Sequence, residues 1–428
     1  MRTSPFADAI GFAVVLLCAT LCPYTSFAGE MNRADLDGGE HAAMDSSIDA
    51  ATLEDAEIEG YRRDLLGLAM DAASMMPRDP HIKNRSRMQH EVFAACLDLD
   101  QPALARAFMK RIANWRRGAA AAEYALYCAR YDRHDTAERY LKKAEAAAKL
   151  VDQDWRKQTI QLRVAEARLL LGDDAADDRV RRRTTEDMHR GKIEAFAIAH
   201  RETVDVEALS SRLDSLIASG RYEPILNAAE AYLRLYERLY EQSDRRLDIE
   251  GKLRQAYVGM GGAETLKLLM GFAHAALANG DAAEALRFIE EAETLAANAA
   301  WPEHQPYRYE FVSDLAELRA LSDDSSGAVA KLDKLMERYD REGKKIVNIW
   351  RADALRSVAE AYAALGETDK AWSVYERAVA AGMVNPNGWP RATDLAKTCV
   401  SLALQRVEPS DSLLRSIHRA KAKLGAPW

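Results

Sequence analysis

Two stretches of the chain share one spacing of small residues. Residues 273–292 read AHAALANGDAAEALRFIEEA and residues 359–378 read AEAYAALGETDKAWSVYERA, each with alanine at its first, thirteenth and twentieth places and glycine at its eighth. In both, an apolar stripe with helical period lies on either side of a short turn. Helices that cross closely need small residues, and glycine readily adopts the left-handed conformation that ends a helix. Each stretch therefore predicts a pair of antiparallel helices.

The same pattern recurs along the chain. Residues 312–335 lie midway between the two stretches, 43 residues from each, and a further copy is expected near the C-terminus. From about Tyr61 onward the periodicity is helical, and no run of alternating β-branched residues interrupts it. A repeat of this length indicates a solenoid. The matching residues are Ala316, Asp323, Ala328, Leu332 and Leu335 in the first copy and Val400, Leu404, Leu413 and Ala420 in the second. The sequence thus predicts an all-α superhelix of stacked helix-turn-helix units over residues 61–428.

These positions resemble the tetratricopeptide repeat (TPR). Its apolar and small consensus places are occupied here by Leu355, Val358, Ala359, Tyr362, Gly366, Ala371, Tyr375 and Ala378. The clear resemblance covers about residues 118–148 and 264–422. The repeat length departs from the family's 34 residues, and residues 233–262 fit no unit and predict an additional helix. The solenoid could therefore consist of two parts, residues 61–200 and 203–428. The resemblance implies a scaffold that binds a peptide or protein on its concave face.

The first 28 residues predict a signal peptide. Arg2 is followed by the apolar run AIGFAVVLLCATL, and Ser26-Phe27-Ala28 offers small residues at the cleavage positions. We expect cleavage after Ala28 and a periplasmic or secreted protein, in which the mature chain is not stably inserted in a membrane. Two alternatives stay open: an uncleaved anchor, and a lipoprotein modified at Cys18 or Cys22.

Residues 29–60 predict a flexible acidic leader. Ten acidic side chains accompany Arg33 alone, and aromatic residues are absent. Such a segment cannot bury enough apolar surface to offset the entropy of ordering. The leader therefore carries −9, and since the whole chain has a formal charge of −8, the rest sums to about +1. A near-neutral body has no broad basic face, which argues against nucleic acid as a partner.

Cysteine and histidine spacing gives no sign of a metal or cofactor site. Once the signal peptide is removed, Cys96, Cys128 and Cys399 remain, without a CxxC pair or the Cys/His spacing of zinc sites. These thiols predict small buried side chains, and a single Cys96–Cys128 bridge stays open. The oligomeric state is not predicted.

The register of the repeats predicts which side chains line the concave face. They come from the first helix of three successive units: Lys267, Met270 and His274; Glu310, Ser313 and Glu317; Asp353, Arg356 and Glu360. Mixed charge with few aromatic residues suits a peptide or protein ligand. No catalytic motif accompanies them, so a non-catalytic binding scaffold of the bacterial cell envelope is the first hypothesis.

A row of tryptophans supports an alternative. Trp301, Trp350 and Trp389 recur at the joints between units, where each indole could plug a gap or stack on a sugar. A glycan-binding or glycan-processing protein on an α/α scaffold would use this row, with Glu303 as the one acid that the sequence places beside it.

Overall fold

A computed structural model describes residues 53–183, 187–325 and 327–428, and this part of the chain is all-α. The predicted signal peptide and most of the predicted acidic leader lie outside the described residues. Nineteen α-helices are described, with a short 3-10 turn at Gly343–Lys345. They are α1 (Gly60–Met75), α2 (Ile82–Asp98), α3 (Pro102–Met109), α4 (Arg116–Arg130), α5 (His134–Lys149), α6 (Asp154–Leu170), α7 (Ala176–Arg183), α8 (Asp187–His200), α9 (Val206–Ser219), α10 (Tyr222–Arg238), α11 (Ser243–Ala256), α12 (Gly262–Ala278), α13 (Ala282–Asn298), α14 (Tyr307–Leu321), α15 (Ala328–Glu342), α16 (Asn348–Ala364), α17 (Thr368–Met383), α18 (Gly388–Leu404) and α19 (Asp411–Ala422).

The turns inside the helix pairs show the repeat most clearly. At seven of them, one residue between the two helices has a positive φ. In each case the amide after the positive-φ residue bonds a carbonyl five residues earlier, as Glu367 does to Tyr362 at 2.9 Å. This bond satisfies a carbonyl that the helix end leaves free. The seven positive-φ residues are Asp100, Asp132, Gly172, Gly280, Asp323, Gly366 and Arg406. The predicted all-α repeat architecture is confirmed.

The even-numbered helices pack side by side in a closed cycle. Each even-numbered helix from α2 to α16 contacts the next even-numbered helix, and α18 contacts α2. Most odd-numbered helices pack outside this cycle, as α13 does against α12 and α17 against α16. The even-numbered helices are therefore the inner helices of a ring. The sequence did not predict that the two ends of the chain meet.

Helix α1 closes the ring by completing the last repeat. It packs on α18 about as extensively as α17 packs on its own partner α16, whereas α19 contacts α18 only weakly. Arg62 of α1, which is buried, donates from Nε to the carbonyl of Ala403 at 2.8 Å. Lys421 of α19 bonds Asp71 of α1 at 2.8 Å. The predicted last copy is thus realised only in part: α19 follows α18 through the turn at Arg406, but α1 takes most of the packing on α18 that a second helix would provide.

The hydrophobic core follows this closure. One cluster joins side chains between residues 65 and 167 to side chains between 309 and 424, and a second spans residues 195–318. The core therefore divides at different places from the two parts suggested by the sequence. The additional helix expected within residues 233–262 is α11.

The end of the acidic leader is held against the ring. Asp55 accepts backbone N–H bonds from Ala103 and Leu104 at 2.7 and 3.2 Å, at the start of α3. The Ala56 amide bonds the carbonyl of Asp100 at 2.8 Å. A carboxylate at a helix N-terminus satisfies free amides and suits the helix dipole. The flexible-leader prediction can therefore apply only before residue 53.

Arginines close the joints between units in a recurring way. Arg117 and Arg351 lie at the start of inner helices, and each donates to carbonyls five and seven residues earlier, all at 2.8 Å. Arg391 holds the carbonyls of Asn385 and Pro386 at 2.9 Å. Since loop carbonyls would otherwise lack partners, these forks fix each inner helix relative to the loop before it.

Cys96, Cys128 and Cys399, the cysteines of the described ranges, are free and buried, so no Cys96–Cys128 bridge is present. Burial raises the pKa of the Cys399 thiol to about 12, which keeps it in the unreactive thiol form. Within the described ranges, none of the helices is both long and apolar enough to cross a bilayer.

Candidate functional site

The candidate site is a polar face formed by four neighbouring inner helices. We call it the inner ladder and define it as three rows of side chains plus Asp314. The first row is Lys267, Glu310, Asp353 and Asp394; the second is Met270, Ser313, Arg356 and Lys397; the third is His274, Glu317, Glu360 and Ser401. Each row takes one residue from α12, α14, α16 and α18.

The structure brings most of the nine sequence-predicted residues together. Glu310 is close enough to Asp353 and Lys267 to interact electrostatically with both, and Glu317 interacts with Glu360 in the same way. Met270 differs, because it is 1% exposed and belongs to the hydrophobic core. Sequence periodicity alone cannot separate a residue on the inner face from one turned slightly toward the neighbouring helix.

Four ladder residues were missed. Asp394, Lys397 and Ser401 each lie 41 residues after their counterparts in α16, so extending the repeat by one more unit would have found them. Asp314 had no such signal, since it follows the predicted Ser313 directly in the sequence. It stands one helical turn after Glu310, which places both on one face of α14.

Ion pairs tie α16 to α18. Arg356 pairs with Asp353, and its Nε lies 4.0 Å from Glu360 Oε1. Lys397 Nζ contacts Asp353 Oδ1 at 3.3 Å. Ser401 bonds Glu360, and its Oγ is 2.7 Å from the buried hydroxyl of Tyr375. Two cations and a hydroxyl chain thus orient the carboxylates of α16.

The acids of α14 are not paired in this way. Within the described part of the chain, Glu310, Asp314 and Glu317 take part in no side-chain hydrogen bond and no ion pair within 4.0 Å. All three are only partly buried, so solvent reaches them. The ladder as a whole holds six carboxyl groups against Arg356, Lys397 and Lys267. The ladder is therefore rich in carboxyl groups, and its charge depends on their pKa values.

Buried polar atoms without a partner line the same face. Among the described residues, no hydrogen-bond partner is present for His274 Nε2, Ser313 Oγ, Arg356 Nη1 or Asp394 Oδ2. Each residue is at most 9% exposed, and each lies on a different one of the four helices. An unpaired buried polar atom costs about 1–3 kcal/mol. Unpartnered buried polar atoms also occur elsewhere in the described chain, for example at Gln89 and Gln305, but here four of them share one face. This grouping suits a surface that binds a polar ligand.

Burial and mutual repulsion shift the pKa values of the ladder acids upward. Burial and nearby Asp353 raise the pKa of Glu310 to about 7 and that of Asp394 to about 8. The pKa values of Asp314 and Glu317 are raised well above the usual range, by burial and then by neighbouring acids. Asp353 differs, because Lys397 and Arg356 outweigh the effect of burial and lower its pKa.

A second polar network on the inner face is internally satisfied. His90 Nε2 lies 2.9 Å from Glu123, Arg163 lies 3.6 Å from the same carboxylate, and Arg163 also bonds Glu166 at 2.7 Å. Burial would raise the pKa of Glu123, but His90 and Arg163 outweigh it and lower the pKa to about 2. This network has its own partners and serves to join α2, α4 and α6.

The tryptophan row packs against the protein. The indole of Trp301 donates to the carbonyl of Ala296 at 2.8 Å, and its ring centre is 5.4 Å from that of Phe311. Trp350 and Trp389 are half-buried against the hydrophobic core. Glu303 bonds Lys345 on the surface, with a shortest distance of 3.1 Å. The row therefore fills the joints between units.

Within the described residues, no group of three or more His, Cys, Asp or Glu side chains is arranged to hold a metal ion. No protein-family model matches the chain, and no curated protein is significantly similar to it.

Proposed function

We propose that the protein is an exported, non-catalytic TPR-like scaffold that binds a peptide segment along the inner ladder, in the periplasm or outside the cell. The observation that carries this proposal is the set of four unpartnered, buried polar atoms on four consecutive helices. Partly buried carboxyl groups beside them add polar groups that a ligand can meet.

The spacing of the ladder suits an extended segment. Packed helices lie about 8–10 Å apart, and an extended chain advances about 3.3 Å per residue. Every third ligand residue would therefore meet the next inner helix. The four helices would accommodate about nine residues on these spacings, so we expect a linear segment or a chain terminus as the ligand.

Ligand capture with a matched pair of variants tests the proposal. The half-buried Glu317 changes to lysine in one variant, and the exposed Glu290 on the outer helix α13 changes to lysine in the other. Both changes alter the net charge equally. We expect a partner captured by the wild type from an envelope extract to be lost with Glu317→Lys and retained with Glu290→Lys. Equal capture by both variants would place the binding surface elsewhere.

A glycan ligand is the second hypothesis, and the packing of Trp301 argues against it. An indole stacks on a sugar through an open face, whereas this ring lies against Phe311 and its N–H is already bonded. No specific observation at the row favours a sugar.

A further inference from the structure

We infer that the inner ladder selects peptides with basic side chains, so that lysine or arginine of the ligand pairs with the acids of α14. This inference rests on the proposed function and adds the chemical class of the ligand. It starts from Glu310, Asp314 and Glu317, which are partly exposed and have no ion-pair partner in the described structure.

The cations around α14 do not offset burial and the neighbouring acids: Lys397, Arg356 and Lys267 act to lower the pKa of Glu310, yet it is still raised to about 7. Lys267 is the one ladder cation that α12 contributes. Burial lowers the pKa of His274, on the same helix, to about 4, so its ring is neutral near pH 7. On α16, Arg356 is engaged by Asp353, and Glu360 adds another acid. On α17, the buried Tyr375 stays neutral because burial and nearby Glu360 raise its pKa well above the usual value.

The unpartnered atoms support a peptide as the bearer of the positive charge. Asp394 Oδ2, on a side chain that is 4% exposed, can accept once its carboxyl is ionised, and Ser313 Oγ on a fully buried residue can accept as well. Both suit N–H donors of an ammonium, a guanidinium or a backbone amide. Arg356 Nη1 is an unpartnered donor, and it requires an acceptor such as a backbone carbonyl. A peptide with basic side chains supplies both kinds of group.

Proton release gives this binding a distinct signature. Asp314 and Glu317 have raised pKa values because they are buried next to other acids. A bound cation favours the charged carboxylate and lowers its pKa. Binding should therefore expel protons near pH 7 and strengthen as pH rises. A cation that binds to ordinary surface carboxylates, which are already ionised at this pH, releases none.

Three labelled nine-residue peptides test the inference by fluorescence anisotropy. Each is a Gly/Ser chain with arginine, glutamate or glutamine at every third position. We expect the arginine peptide to bind wild-type protein at least about tenfold more tightly than the other two. The double variant Asp314→Asn/Glu317→Gln should weaken this binding at least about tenfold. The control Glu290→Gln/Glu337→Gln removes two exposed acids from outer helices and should change it less than about twofold.

Calorimetry in two buffers of different ionisation enthalpy adds the second readout. We expect the wild type to release more protons on binding than the inner double variant, which keeps only Glu310 of the three acids of α14. Equal weakening by the inner and outer double variants would overturn the inference. Tighter binding of the glutamate or glutamine peptide would also overturn it, while leaving the proposed peptide scaffold in place. A dissociation constant of about 1 mM corresponds to a binding free energy of about 4 kcal/mol. If none of the three peptides binds at concentrations up to about 1 mM, both the inference and the proposed function fail.

Discussion

Asp394→Asn probes the electrostatics of the inner ladder through the pH dependence of stability. Asp394 is 4% exposed, and burial together with Asp353 raises its pKa from 3.8 to about 8. In the unfolded chain this carboxyl loses its proton near the usual pKa, whereas the folded protein retains the proton to a much higher pH. Stability is therefore fully present at low pH and is lost as pH rises toward about 8.

The size of the effect follows from the same pKa values. One group that keeps a proton only in the folded state changes the free energy of unfolding by about 1.4 kcal/mol per pH unit. From about pH 5 to about pH 8 the decrease attributable to Asp394 approaches about 4 kcal/mol as an upper limit. Glu310 acts in the same direction, since its pKa is raised to about 7, but it is partly exposed and solvent screens it.

Asparagine keeps the shape of the side chain and cannot titrate. We expect the free energy of unfolding of Asp394→Asn to fall less steeply with pH, so that the variant gains about 2–4 kcal/mol relative to wild type between about pH 5 and about pH 8. Urea unfolding followed by circular dichroism at several pH values measures this. Asp369→Asn, at an exposed position of α17, is the control. Parallel pH profiles for wild type and Asp394→Asn would refute the reasoning.

Three further predictions concern packing, processing and ligand class. Ala371 is fully buried in α17, so Ala371→Glu should lower the free energy of unfolding by more than about 3 kcal/mol. The control Ser373→Glu, at an exposed site of the same helix, should lower it by less than about 0.5 kcal/mol. Equal melting temperatures for the two variants would contradict the repeat register. N-terminal sequencing of the exported protein should begin at Gly29, and an intact Met1 or a lipid-modified cysteine would disprove the predicted cleavage. Titration with cell-envelope oligosaccharides should leave the tryptophan fluorescence unchanged, whereas a saturable shift that Trp301→Ala abolishes would favour the glycan hypothesis.

The helix pairs were predictable because their signals are local. Gly280 and Gly366 mark turns that need a positive φ, and alanines at fixed offsets mark the crossings. The turn at Arg406 has the same positive φ, but arginine carries no such preference, so only its place in the repeat identifies it. Local spacing therefore predicts the pairing of sequence neighbours and their approximate register.

The closure of the ring was not predictable from the same information. The bond from Arg62 to Ala403 joins residues 341 positions apart, and a hydrophobic stripe does not specify which distant stripe will cover it. Similarly, the register identified which residues face inward, but their raised pKa values and unpartnered atoms depend on helices brought together only by folding. Asp394 is the clearest case, since the packing of α18 against α16 both buries its carboxyl group and brings Asp353 close to it.

Hydrogen exchange tests most directly whether α1 completes the last repeat. Leu66 of α1 is fully buried, and Leu66→Ala should remove about 2–5 kcal/mol of packing energy. Local opening then raises amide exchange in whatever packs on α1. As a control, Leu266→Ala makes the same change at an equally buried site of α12.

Under native conditions we expect Leu66→Ala to accelerate exchange of amides in Gly388–Leu404 as well as in Gly60–Met75, and Leu266→Ala to leave Gly388–Leu404 as protected as in the wild type. Faster exchange at Gly60–Met75 alone, with Gly388–Leu404 unaffected by Leu66→Ala, would show an open solenoid and contradict the closed ring.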